Sequence, residues 1–144
     1  MLTDIIRPEL LLVEDSEDDA YFFERALKKS GSTCLFHHVT NGAEAIDYIE
    51  KASTPGNGVL PRVVFLDLKM PVLNGFEVLD WLQTQPYASQ MRVIVLSGSE
   101  HQMDKQRAGQ LGAAAYLVKP VKESDLHRYL DDICAEKTKV GAGV

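Results

Sequence analysis

The chain has only two cysteines and one tryptophan, no surplus of basic residues and no long apolar run. Cys34 and Cys134 fall in different elements and form no C-x-x-C pair. Redox or zinc chemistry is therefore not indicated, and a reduced chain with both thiols as packing is expected. With 15 Lys+Arg against 21 Asp+Glu, the formal charge is −6. Phosphate backbones and anionic lipid are held by surplus Lys and Arg, so nucleic-acid and membrane-surface binding are disfavoured, while a basic protein partner stays open. Nothing approaches the ~20 apolar residues of a membrane span. Residues 1–7 carry Asp4 and lack a basic-then-apolar export pattern, so a cytoplasmic chain is expected. There is no G-x-x-x-x-G-K-[ST] loop, which argues against a nucleotide-driven motor or kinase. No internal repeat or low-complexity tract is visible.

What is present suits one globular domain. At 144 residues, 45% hydrophobic and 25% charged, the chain is long enough to bury roughly two-thirds of its unfolded surface. Short apolar runs recur: E-L-L-L-V at 9–13, R-V-V-F-L at 62–66 and R-V-I-V-L at 92–96, with a weaker A-A-Y-L-V at 114–118. Continuous apolar runs of this length predict strands covered on both faces. The more polar C-L-F-H-H-V at 34–39 predicts a fifth strand nearer an edge.

Helical spacing lies between them. Ala20, Phe23 and Leu27 share a face, with Gly31 placed to cap the helix end. Ala45, Ile46 and Ile49 form a second face, Phe76, Leu79 and Leu82 a third, and Leu126, Tyr129, Leu130 and Ile133 a last stripe opened by Ser124 or Asp125. Residues 101–111 read as a polar, weakly packed helix weakened by Gly109. The stretch 53–61, S-T-P-G-N-G-V-L-P, is a loop on turn chemistry, and 137–144 reads as a frayed tail. Strand and helix alternating five times favours a parallel sheet with right-handed crossovers and helices on both faces.

In such sheets, ligands sit at the carboxyl ends of the strands, where the loops diverge. Glu14 and Asp15 follow the first strand, Asp67 the third, Ser97 to Ser99 the fourth, and Lys119 with Pro120 the fifth. Three carboxylates, a hydroxyl and an ammonium thus converge. Crowded carboxylates must be protonated or neutralised by a cation, and hard oxygen ligands suit Mg²⁺. Asp15 and Asp67 are expected as direct ligands, the Lys69 backbone carbonyl as a third and Glu14 as a water-mediated contact. A fixed carboxylate of this kind can attack phosphorus, and Lys119 and Ser97 would meet the oxygens of the transferred group. Gly98 would leave the approach to Asp67 open. Ser16 to Asp19 are expected only to cap the first helix. Lys119-Pro120 reads as a lysine held at a rigid turn, where a cis peptide bond is an available geometry. The adjacent His37 and His38 point to opposite strand faces and cannot make one metal site.

These residues resemble the receiver domain of bacterial two-component response regulators. The resemblance covers 9–136 and rests on L-L-L-V-E-D at 10–15, V-V-F-L-D-L-K-M-P-V-L-N-G at 63–75, V-I-V-L-S-G at 93–98 and Y-L-V-K-P at 116–120. Asp67 precedes Met70-Pro71 and Gly75 at the family's offsets. Ser97 lies 30 residues after Asp67, and Lys119 lies 22 after Ser97, as the family usually shows.

The resemblance implies a flavodoxin-like α/β fold with a five-stranded parallel sheet of order 2-1-3-4-5. It implies Mg²⁺-dependent phosphorylation of Asp67 by a histidine kinase or a phosphotransfer protein, with the chain catalysing only its own phosphorylation and dephosphorylation. Ser97 and Tyr116 take the family's switch positions, and the surface over 101–134 would meet a downstream protein or a second copy of the chain. Residues 1–8 would be an extension and 137–144 a flexible tail. Glu14 departs from the family's usual aspartate, and Ser97 stands where threonine is more frequent. Lys69, two residues after Asp67, could reach the phosphate or block attacking water. The 53–61 loop resembles small stand-alone regulators paired with bacterial phytochromes.

Two other functions fit less well. A pseudo-receiver that never uses phosphorylation would not need Asp15, Asp67, Ser97 and Lys119 together. A hydrolase with an aspartyl phosphate intermediate generally needs a second acid two residues after the nucleophile, where this chain has Lys69.

Overall fold

The computed structural model describes residues 7–70 and 73–142, with side chains described through Ile133. Among the described residues, five strands and five α-helices alternate. They are β1 (Glu9–Val13), α1 (Glu17–Lys29), β2 (Leu35–Val39), α2 (Gly42–Ser53), β3 (Val63–Asp67), α3 (Gly75–Gln83), β4 (Arg92–Ser97), α4 (Gln102–Gln110), β5 (Ala115–Val118) and α5 (Glu123–Ala142). All strand pairs are parallel, in the order β2-β1-β3-β4-β5. This is the expected flavodoxin-like sheet, with the polar β2 at one edge.

The apolar runs form strands because both sheet faces are covered. Leu11, Val13, Val64, Leu66, Val93 and Val95 pack on one side against Ala45 and Ile49 of α2 and Val78, Leu79 and Leu82 of α3. Leu10, Leu12, Val63, Phe65, Ile94 and Leu96 pack on the other against Ala20, Phe23 and Leu27 of α1 and Leu126, Leu130 and Ile133 of α5. The strict alternation between these two sets is the period-2 geometry of a strand. Each of the fully buried leucines and isoleucines contributes roughly 2 kcal/mol through its apolar area.

Local signals set the helix ends. Ser16 Oγ accepts the Asp19 N–H at 3.2 Å to open α1. Asn74 and Glu77 cap α3 reciprocally at 3.0 and 2.9 Å. Gly31 follows Ser30, the last cap residue of α1, at φ +76°, where a side chain would be strained.

The structure departs from the sequence reading at several points. β3 begins at Val63 and takes in Asp67, because its carboxyl end is still paired with Leu96 of β4. Leu35 opens β2 and Ala115 opens β5. On α3, Val78 joins Leu79 and Leu82 in the core, while Phe76 is half-buried under the Arg107 guanidinium, 4.2 Å from its ring centroid. The α5 helix continues through Ala142. Cys34 is buried; the Cys134 side chain, Pro71 and Val72 lie outside the described residues.

α4 is as weakly anchored as its composition implies. Ala108 is its buried residue and Met103 is 80% exposed. Polar contacts hold it instead: Arg107 over Phe76, Lys105 Nζ at 5.9 Å from the Tyr116 ring centroid, and Ser99 Oγ to Asp104 at 3.4 Å.

Candidate functional site

The carboxyl edge of the sheet gathers the polar residues the sequence singled out. β1 delivers Glu14 and Asp15, β3 ends on Asp67, β4 ends on Ser97, and Lys119 follows β5. Glu14, Asp67 and Ser97 are buried, an arrangement a core tolerates only with partners.

Lys119 is the main partner. Its Nζ lies 2.7 Å from Glu14, 2.9 Å from Asp19 and 3.3 Å from Asp67. Burial alone would lower the Lys119 pKa. Its hydrogen bonds to Glu14 and Asp19, with the charge of Asp67, more than reverse that and hold it above the ordinary lysine value. Asp67 is displaced the other way. Burial first, and then the neighbouring Glu14 charge, push its carboxyl up to about 7, against the pull of Lys119 and of the Lys69 N–H at 3.4 Å.

Glu14, Asp15 and Asp67 each offer an oxygen, and these atoms lie within 4.8 Å of one another. Two of the acids are buried and Asp15 is exposed. One lysine cannot neutralise three clustered carboxylates and Asp19 as well, so the donor set fits a hard divalent cation.

Backbone geometry fixes Asp67. The Gly75 N–H donates to Leu68 O at 3.1 Å. A Cβ at Gly75 would lie 2.5 Å from the Asp67 carbonyl oxygen and 2.9 Å from Leu68 Cα. Only glycine lets the α3 N-terminus approach the acid's backbone this closely. At Gly98 a Cβ would meet nothing within 4 Å, so the space beside it is open.

On the far side, Ser97 Oγ accepts the Ser99 N–H at 3.0 Å, and Tyr116 Oη donates to Ser99 O at 2.8 Å. Ser97 and Tyr116 are thus joined through one residue of the β4–α4 loop. The Lys119-Pro120 bond is cis. His38 Nε2 bonds Glu14 O at 2.9 Å, and His37 faces Glu9 at 3.4 Å, so the two rings serve different partners.

Glu14 is 1% exposed and makes the shortest ion pair with Lys119. One sequence expectation needs correction. Asp19 does more than cap α1. Its side chain bonds Lys119, 100 residues away. In the sequence, the acidic run 17–19 gives no sign of which acid reaches across to β5.

A doubly wound sheet of order β2-β1-β3-β4-β5 is the flavodoxin-like α/β fold, and the carboxylate cluster with its bridging lysine stands where such sheets bind ligands. Within it, the chain belongs to the response regulator receiver domain family, whose family model matches residues 10–131. It is similar to the bacteriophytochrome response regulator AtBRR, 31% identical, with a TM-score of 0.77 over 90% of this chain and 94% of that one. It is also similar to the response regulator Rcp1 of Synechocystis sp., 28% identical over 86% of this chain and 84% of that protein. The structure of Rcp1 with Mn²⁺ bound superposes with a TM-score of 0.70 over 88% of this chain and 91% of that one. A phosphorylated cyanobacterial phytochrome response regulator, RcpA, is 28% identical, with a TM-score of 0.73 over 89% and 91% of the two chains. The chain is therefore a receiver domain of two-component signalling, a family of phosphorylation switches that are for the most part not enzymes and that act through kinases and downstream targets. Among the described residues, no helix is long and apolar enough to cross a membrane.

Proposed function

We propose that Asp67 is the phosphoacceptor, that the divalent cation is Mg²⁺, and that the donor is a phosphohistidine on a histidine kinase or phosphotransfer protein. The observation that carries this reading is the meeting of Glu14, Asp15 and Asp67 within 4.8 Å, with Lys119 3.3 Å from Asp67. Glu14, Asp15, Asp67 and the Lys69 carbonyl would hold Mg²⁺, which when bound neutralises charge on the acceptor and on the phosphoryl oxygens. An Asp67 oxygen forms the new P–O bond as the donor's P–N bond breaks. Lys119 follows the charge from the carboxylate to a phosphoryl oxygen.

Ser97 turns its hydroxyl from the Ser99 N–H to another phosphoryl oxygen. That frees the Ser99 segment, to which Tyr116 is bonded, so a change at Asp67 propagates to α4. The weak apolar anchoring of α4 supports the 101–134 surface as the output face, toward a protein target or a second copy. The receiver unit spans 9–136, acts in the cytoplasm and binds neither nucleic acid nor membrane. Its catalysis is confined to its own phosphorylation and dephosphorylation.

The test is intact and peptide mass spectrometry after acetyl phosphate treatment with Mg²⁺. One phosphoryl group on the Asp67 peptide, absent with EDTA and absent in Asp67→Asn, is expected. An unmodified wild-type protein, or an adduct that persists in Asp67→Asn, overturns the assignment.

A further inference from the structure

Lys119 carries three N–H donors and is surrounded by three carboxylates, of which Asp67 at 3.3 Å is the most distant. An ammonium has no further donor to offer, so a bond kept by one acid is withheld from another. Glu14 and Asp67 belong, with Asp15, to the clustered carboxylates; Asp19 does not. Asp19 approaches from the first turn of α1, its backbone N–H held by Ser16 and its carboxylate bonded to Lys119. Its side chain is 43% exposed while Lys119 is 17% exposed. Both line a cavity of about 390 Å³, together with Phe22, Gly98 and Val121.

We propose that Asp19 is a positioning residue that sets the phosphoryl affinity of the site by holding Lys119 back from Asp67. The inference rests on the assignment of Asp67 as acceptor. When a phosphoryl group occupies Asp67, its oxygens and Asp19 compete for one ammonium, so Asp19 favours the unmodified state. When Asp67 is bare, Asp19 weakens the pull of the lysine on it and leaves that carboxylate more available to a cation. Loss of the Asp19 charge thus moves two affinities in opposite directions.

The test titrates beryllium fluoride at saturating Mg²⁺, and separately Mg²⁺ alone, on the wild-type chain, Asp19→Asn and Asp19→Glu, read by amide chemical shifts. For a partly exposed ion pair, about a twofold to fivefold change is expected. Asp19→Asn should bind beryllium fluoride more tightly and Mg²⁺ more weakly, and Asp19→Glu should match the wild type. In a Lys119→Gln background the Asp19→Asn effect on beryllium fluoride should vanish, since it acts through the lysine. A general loss of structure would instead weaken both ligands. Weakening of both, no change in either, or an Asp19→Asn effect that survives in Lys119→Gln overturns the proposal. A wild-type chain that binds no beryllium fluoride overturns the Asp67 assignment and this proposal together; a wild-type chain that binds it, with Asp19→Asn identical, overturns this proposal alone.

Discussion

Asp67→Asn should make the metal-free protein more stable, and by an amount that depends on pH. The structure buries Asp67 beside Glu14, and its carboxyl is pushed from an ordinary 3.8 up to about 7. At about 1.4 kcal/mol per tenfold, the penalty on its charged form is at most about 4 kcal/mol. The unfolded carboxyl ionises near pH 4 and the folded one near pH 7. Between them the folded state holds an extra proton, so this group's contribution to stability falls as pH rises. The penalty is absent below about pH 4 and complete above about pH 7. Asparagine has the same shape and no charge, so it removes the penalty.

Urea unfolding in EDTA, followed by circular dichroism at about pH 8 and about pH 5, reads this difference. A gain of about 2–4 kcal/mol at the higher pH corresponds to a midpoint shift of about 1–2 M for an ordinary urea slope. The gain should shrink sharply at the lower pH. Saturating Mg²⁺ should erase it, because a cation that binds the folded wild-type site stabilises it by mass action. An Asp67→Asn protein no more stable than wild type at the higher pH, or one whose gain is the same at both, refutes the reasoning.

Gly75→Ala should cost about 1–3 kcal/mol in urea unfolding, since overpacking against backbone cannot be relieved by a side-chain rotation; it should also weaken beryllium fluoride binding, because the atoms displaced are the Asp67 carbonyl and Leu68 Cα. Tyr116→Phe removes the 2.8 Å bond to Ser99 O and should cost about 1 kcal/mol, with faster amide hydrogen exchange confined to the loop after β4 and to α4. Uniformly faster exchange across the sheet would contradict that assignment.

The sequence by itself determined the sheet and the location of the chemistry. Four apolar segments too short for buried helices and a fifth, more polar one, each followed by helical spacing, leave little besides a parallel sheet covered on both faces, and the residues just past its strands then share one edge. Glu14, Asp15, Asp67, Ser97 and Lys119 could be placed in one pocket on that argument alone. Composition likewise showed that α4 lacks an apolar face. Tertiary structure decided everything that turns on ångströms between segments distant in the chain. A helix period admits Phe76 or Val78 to the core, and only the docked angle of α3 chose Val78. Runs of acids look alike in sequence, yet the α1 crossover put Asp19 rather than Asp18 within 2.9 Å of a lysine 100 residues on. Ion-pair choice depends on distance and burial, both products of how the elements pack. The order of Glu14, Asp19 and Asp67 around Lys119 was therefore a property of the folded chain.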